Sequence, residues 1–315
     1  MTTSQAQVKG VQMPLLPKKT AQLVEYVLRE YPVHKSHMSA ALPRLTTEEL
    51  ETLETYLSFC VDQGKSTDYL GEAYLTIVED TLREQMYFNK HKKYRHASYA
   101  DVANDVYHND VYMDKYMYGL AMTTFLWPNH LSMHRFFQES LPKGKKGKYI
   151  EIGPGHGFNL MRAMQLCAFD AYRGVDISQA SINQTRKIID YYCASGAAKM
   201  TLDVMDFLEA PLPTGGYDAV VMGEVLEHVE NPVAFLKRIH QIAADDAYIF
   251  VTTCTNAPAI DHIFLYKSPA EVEDQFREAN LSVVKSLYLP YEGKTVDESL
   301  AAALPINVAY VLKKV

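Results

Sequence analysis

Cysteine is scarce and scattered in this chain: Cys60, Cys167, Cys193 and Cys254 are four residues among 315, with no C-x-x-C pair. That spacing argues against a thiolate zinc site and a disulfide framework, and the expectation is a reduced, cytoplasmic protein. Any run of about 18 apolar residues is missing, so no membrane span is expected. Positions 1–20 are polar, with two prolines and a Lys18-Lys19 pair, and have no apolar core of a secretory signal; they are expected to form a flexible arm. Cationic excess is lacking as well. A formal net charge of −7 argues against nucleic acid as a partner, because phosphate binding needs a cationic face. Neither an internal repeat nor a low-complexity tract is evident.

What is present begins with helices. Thr46-Thr47-Glu48-Glu49 ahead of Leu50, Leu53, Tyr56 and Leu57 predicts a capped amphipathic helix, and 69–86 continues the same periodicity. Between 87 and 137 the composition turns aromatic. Tyr99, Tyr107, His108, Tyr112, Tyr116, Tyr118, Trp127, His130 and His134 crowd a stretch broken by Trp127-Pro-Asn-His130. Rings with apolar bodies and polar tips suit a pocket wall that excludes water and orients a substrate, although Tyr112, Met113, Tyr116 and Met117 equally fit core packing. Residues 21–147 are therefore expected to form a helical lid, with substrate-binding or homodimer-forming roles, ending in the lysine- and glycine-rich linker at 143–148.

From 148 onward, strand and helix signals alternate. Tyr149 to Ile152 predicts a buried strand, and Gly153, Gly155 and Gly157 then occupy a strand-to-helix turn before the helical spacing that starts at Phe158. Further strands are expected at 172–175, 199–204, 217–222 and 247–253, with helices from Ser178 to Tyr192 and Pro232 to Ile242. Two last strands are placed at 280–287 and 307–312, one of them antiparallel. Such alternation implies an α/β domain over 148–315 whose sheet is covered on both faces. Ligands in such sheets bind at the carboxyl ends of the strands, where strand order reverses.

The spacing G-x-G-x-G, with acidic Glu151 before it, resembles the first motif of class I S-adenosylmethionine-dependent methyltransferases. The resemblance covers 148 to about 290 and implies a Rossmann-like seven-stranded sheet with S-adenosyl-L-methionine as cofactor. It places the turn of Gly153, Gly155 and Gly157 under the cofactor's amino-acid end and implies that Glu151 and Gly223 also bind the cofactor. Asp176, 19 residues past Gly157, falls on the ribose diol, and Asp206 with Phe207 on the adenine, with Asp203 a competitor for that place. The Asn-Pro-Pro-Tyr signature of adenine or glutamine amino methylation is absent.

Gly223-Glu-Val-Leu-Glu-His228 follows the fourth strand, and a helical turn opened by Glu224 would put Glu227 and His228 on its face. With His262 after the fifth strand, this pattern resembles the ubiquinone-biosynthesis O-methyltransferases and the small-RNA 3′-terminal 2′-O-methyltransferases. That resemblance implies a divalent metal (Mg, Mn or Fe) held by Glu224, Glu227, His228 and His262. Without metal, the same residues serve as a metal-free cofactor loop with His228 as base. Catalytic candidates are His228, Glu224, Tyr116 and His130. The expected reaction is methylation, at oxygen or carbon by preference, of a small polar metabolite. An RNA-terminal 2′-O-methyltransferase, a nucleotide-binding oxidoreductase and a non-catalytic cofactor-binding scaffold stay open.

Overall fold

The computed structural model describes residues 15–103 and 109–315. The expected arm at 1–14, and Tyr107 and His108 of the aromatic stretch, lie outside the described residues. Within the remainder of that expected arm, Pro17 precedes helix α1 (Lys18–Glu30), and the Thr20 amide and hydroxyl both donate to Glu54 at 2.8 and 2.9 Å.

Among the described residues, six more α-helices precede the sheet: α2 (Lys35–Ala41), α3 (Thr47–Asp62), α4 (Thr67–His91), α5 (Tyr99–Val102), α6 (Asp110–Leu126) and α7 (Pro128–Ser140). The predicted cap of α3 is formed in full. Thr46 Oγ1 accepts from the Glu49 amide at 3.2 Å, while Glu49 accepts from the Thr46 amide at 2.8 Å. Thr46→Ala leaves one amide unanswered and is expected to lower stability by about 1 kcal/mol, measurable by urea denaturation.

The second half runs β1 (Lys148–Ile152), α8 (Phe158–Leu166), β2 (Ala171–Asp176), α9 (Gln179–Tyr192), β3 (Met200–Val204) and β4 (Tyr217–Gly223), then α10 (Pro232–Ile242), β5 (Ala243–Thr255), α11 (Pro269–Glu278), β6 (Leu281–Leu289), α12 (Val296–Ala301) and β7 (Ile306–Lys314). These strands form one seven-stranded sheet in the order β3-β2-β1-β4-β5-β7-β6. β7 runs antiparallel to both neighbours and the other pairings are parallel, as the sequence predicts. Order reverses between β1 and β4, so the switch-point crevice opens directly above the glycine turn.

Alternation along β1 assigns each side chain to a face. Ile150 and Ile152 join the core under α10 and α11, whereas Tyr149 joins the core that also holds α1, α3, α4 and α6. Phe158 at the start of α8 meets Tyr56 of α3 edge-on at 5.0 Å and Phe125 of α6 at 5.6 Å. Among the described residues, apolar side chains of α1, α3, α4 and α6 are therefore buried in one core with α8 and the sheet face that carries Tyr149. Among the described residues, no helix is long and apolar enough to cross a membrane.

Candidate active site

The glycine turn is held from below. The Gly153 amide donates to Val175 O at 2.8 Å, Gly157 N to Pro154 O at 2.8 Å, and Thr185 of α9 donates to Gly155 O at 3.0 Å. All three glycines have positive φ, at 65°, 54° and 82°. A Cβ on Gly157 would meet Thr185 Cα at 3.0 Å, so that position is set by packing; one on Gly155 would meet nothing nearer than 3.9 Å. The space above Gly155 is open cavity.

Asp176, at the end of β2, accepts from Gly155 N at 3.3 Å and Ser178 N at 2.8 Å. Two backbone donors use part of its acceptor capacity and fix its orientation, leaving lone pairs for a diol. Burial raises its pKa to about 6, with the backbone donors opposing. Glu151 is buried on the same side of the sheet, accepts the Tyr149 hydroxyl at 2.6 Å, and is raised to about 8, chiefly by burial. At the third strand, Asp203 is paired with Arg173 at 2.7 Å, while Asp206 is exposed, its Oδ1 accepting Leu208 N, beside buried Phe207.

The acid and histidine segment takes a shape its sequence spacing does not reveal. Glu224 has φ of 51° and lies outside the following 3-10 turn, Leu226–His228, so it does not open a helical turn as expected. Its amide is tied to Thr252 O and Oγ1 at 3.1 and 3.0 Å, which holds the left-handed backbone, and its Oε1 is buried without a hydrogen-bond partner. Glu227 points into the sheet edge and accepts Thr253 Oγ1 at 2.7 Å. Burial raises both carboxyl pKa values, and the Glu224 charge pushes Glu227 further up.

His228 Nδ1 lies 3.1 Å from Asp261 O, and His262 Nδ1 lies 2.6 Å from Ala257 O. A carbonyl only accepts, so each ring carries its proton on Nδ1 and presents Nε2 as the basic atom. The rings meet edge-on at 4.7 Å. Burial, then repulsion from His228, lowers His262 to about 3. The four expected metal ligands do not share one point. Donor atoms within 4.8 Å of one another form two triads joined at His262: His228, Asp261 and His262, and Glu227, Cys254 and His262. Glu224 belongs to neither.

One cavity of about 1190 Å³ connects these groups; its wall includes Gly155, Asp176, Phe207, Glu224, His228 and Tyr116. Tyr116 stacks on Tyr112 at 5.6 Å, and burial raises its hydroxyl pKa. His130 and His134 of α7 and His156 of the turn line the same space. The expectation from sequence included His130 but missed His156, Asn159, Asp261 and Cys254 as site residues. His156 carried a visible signal, standing between two glycines of the motif. A separate recess of about 300 Å³ at Arg83, Glu84 and Arg95 has its charges paired with one another, Arg95 Nε lying 3.0 Å from Glu84.

The sequence profile of a methyltransferase-domain family matches residues 130–286, spanning α7, the glycine turn, all five parallel-run strands and the start of β6. The chain belongs to the class I S-adenosylmethionine-dependent methyltransferase family. The chain is 23% identical over 205 residues to ajmaline N-methyltransferase of Rauvolfia serpentina, a match covering 61% of this chain and about 65% of the relative's length. Geranyl diphosphate C-methyltransferase from Streptomyces coelicolor A3(2), solved with Mg2+, geranyl diphosphate and S-adenosyl-L-homocysteine, superposes with a TM-score of 0.50 at 14% identity, covering 63% of this chain and 84% of that one. A geranyl diphosphate methyltransferase in complex with GPP and sinefungin gives 0.50 at 15% identity, over 65% and 82%. At these identities the two structures establish a shared fold.

Proposed function

We propose that the chain transfers a methyl group from S-adenosyl-L-methionine to a small-molecule acceptor held in the cavity above the sheet. The observation carrying this is the coupling of Asp176 to the Gly155 amide across adjacent central strands: a carboxylate beside an open, side-chain-free turn fits a nucleoside diol with an amino-acid tail. The named relatives are an ajmaline N-methyltransferase and a geranyl diphosphate C-methyltransferase, both named for small-molecule acceptors.

Methyl transfer is an in-line displacement in which positioning supplies much of the rate. The acceptor's lone pair forms the new bond to carbon while the sulfur–carbon bond breaks, and the acceptor proton leaves to His228 Nε2, whose tautomer is fixed by Asp261 O. Tyr116 and the other rings of α6 exclude water from the reacting atoms. Incubation with the methyl donor and a panel of amines, phenols and prenyl compounds, read as S-adenosylhomocysteine formed, tests the reaction; donor binding without turnover on any of them would favour a binding scaffold.

A divalent cation is the second reading, favoured by the His228, Asp261 and His262 triad and by the mutual repulsion of buried Glu224 and Glu227. Imidazole and carboxylate donors suit magnesium, manganese or ferrous iron. Such a cation would lower the pKa of an acceptor hydroxyl. Turnover that is lost to a chelator and restored by Mn2+ supports it; turnover indifferent to chelation removes it.

Donor binding carries a pH signature. In the free chain Asp176 titrates at about 6, and ionised Asp176 costs stability that is recovered as pH falls through that value. The diol needs the ionised form. Below pH 6, affinity for S-adenosylhomocysteine is therefore expected to fall about tenfold per unit, and Asp176→Asn should remove that slope.

A further inference from the structure

The cavity wall is acidic past the ends of β4 and β5 and carries its cations elsewhere. Among the described residues, the lysine and arginine side chains on that wall are Arg44 and Lys294. Lys294 follows β6, which lies three strand spacings, about 14 Å, from β4 in the sheet order, and Arg44 pairs at 2.8 Å with Glu292 of the same loop. Past β4 and β5 the wall holds Glu224, Glu227, Glu230 and Asp261 instead. Three of these have partners within the chain. Glu227 accepts Thr253 Oγ1 at 2.7 Å, Glu230 accepts the Tyr99 amide at 3.0 Å, and the Asp261 carboxylate lies 3.4 Å from His228 Nδ1. Glu224 Oε1 is buried and has no hydrogen-bond partner.

A carboxylate oxygen in that setting has lost water and gained no donor in exchange, a cost that a ligand with an N–H or O–H can remove. Thr252 anchors the Glu224 amide, so the place from which this side chain reaches the cavity is set by the sheet. Glu224 also stands outside both donor triads around His262, and an ion held by either triad leaves Oε1 unanswered. The wall beside the acids is aromatic. Tyr116 shares an apolar cluster with Met113 and Ile263, and the Ile263 amide donates to Glu227 O at 2.9 Å, which places the ring against the acid segment. A ring beside carboxylates suits an organic ammonium, whose carbon frame it packs against and whose charge it attracts. An anionic acceptor would meet repulsion there with no cation to offset it.

We infer that the methyl acceptor is a primary or secondary amine, bound as its ammonium ion with one N–H donated to Glu224 Oε1. The inference rests on the methyl-transfer reading of the cavity and narrows its acceptor. The ammonium gives one proton to His228 Nε2, and the imidazolium so formed keeps its Nδ1 hydrogen on Asp261 O, with the Asp261 carboxylate 3.4 Å away to stabilise the charge. The nitrogen lone pair then forms the bond to the methyl carbon while the sulfur–carbon bond breaks. Positive charge passes from sulfur to nitrogen, leaving a neutral thioether and a methylated ammonium. Glu224 faces a cationic nitrogen before the proton leaves and again after transfer, so one carboxylate serves substrate and product.

The test is calorimetry on the full chain saturated with S-adenosylhomocysteine, titrated with benzylamine, phenethylamine and tryptamine and with the alcohol and the carboxylate of each carbon frame. At least one amine is expected to bind about tenfold or more tightly than its alcohol, with its carboxylate weaker still. Glu224→Gln keeps the shape of the side chain and removes its charge; it should weaken that amine about tenfold or more, leave the alcohol within about twofold, and leave S-adenosylhomocysteine within about threefold. Where the glutamine variant fails to bind S-adenosylhomocysteine, the comparison of amine, alcohol and carboxylate on the wild-type chain decides. An alcohol or carboxylate that binds as tightly as its amine, or a loaded chain that binds none of the amines, overturns the inference and leaves the donor reading standing. So does a glutamine variant that weakens S-adenosylmethionine but not S-adenosylhomocysteine, because the carboxylate then serves the donor's sulfonium. Amine binding that is lost to a chelator and restored by Mn2+ assigns the acids to a metal ion and overturns it as well. A chain that fails to bind S-adenosylhomocysteine at all removes the donor reading on which the inference rests.

Discussion

Gly155→Val is expected to abolish binding of S-adenosylhomocysteine, weakening it by more than about a hundredfold, or roughly 2.8 kcal/mol. Two effects act on this substitution, and their sizes separate them. A branched residue at φ of 54° is strained by about 1–2 kcal/mol, a cost borne by the fold. The loss of affinity has another cause: the side chain enters space that no protein atom within 3.9 Å fills and that the ligand must occupy. Gly64 provides the control, since its φ is 81°, nothing lies within 4 Å of its Cβ position, and it is absent from the cavity wall. Gly64→Val should lower the melting temperature comparably and leave binding unchanged. Equal binding losses in both variants would mean that strain, not occlusion, is responsible.

His228→Ala is expected to lower kcat by about 10²- to 10⁴-fold, the range for removing a positioned general base, with S-adenosylhomocysteine affinity changed by less than about threefold. The reason lies in the tautomer. Asp261 O accepts the Nδ1 proton, which leaves Nε2 as the basic nitrogen of a ring that lines the cavity. An acceptor whose proton is lost before binding needs no such base, and for it the variant should retain kcat. A comparison of acceptors with high and low pKa therefore distinguishes proton removal from a packing defect, which would depress both equally.

Much of the fold was legible because buried parallel strands read as short apolar runs, and the caps are local. Pro232 to Ile242 bounds α10 at both ends because Asn231 and Pro232 start it, and Ser178 caps α9 as its position implies. The glycine turn was legible for the same reason: the three glycines take the positive φ that other residues rarely adopt. The helical half was harder. Amphipathic periodicity shows that α3 and α6 bury a face, but not that the face meets Phe158 instead of a partner chain.

The acid and histidine segment misled through its spacing. E-x-x-E-H reads as one face of a helix, and only contacts 28 residues away, from Thr252 to the Glu224 amide, force that residue left-handed and separate it from Glu227. Asp261 and Cys254 enter the same cluster from β5 and its exit loop, a convergence created by the sheet. Likewise His130 of α7 and His156 of the glycine turn line one cavity, which no local pattern encodes.

Calorimetric titration of the purified full-length chain with S-adenosylhomocysteine tests the central claim most directly. Saturable one-to-one binding at pH 7.5 that disappears in Gly155→Val and weakens in Asp176→Asn is the predicted result. No heat with S-adenosylhomocysteine, together with saturable binding of a nicotinamide dinucleotide to the same turn, would contradict it.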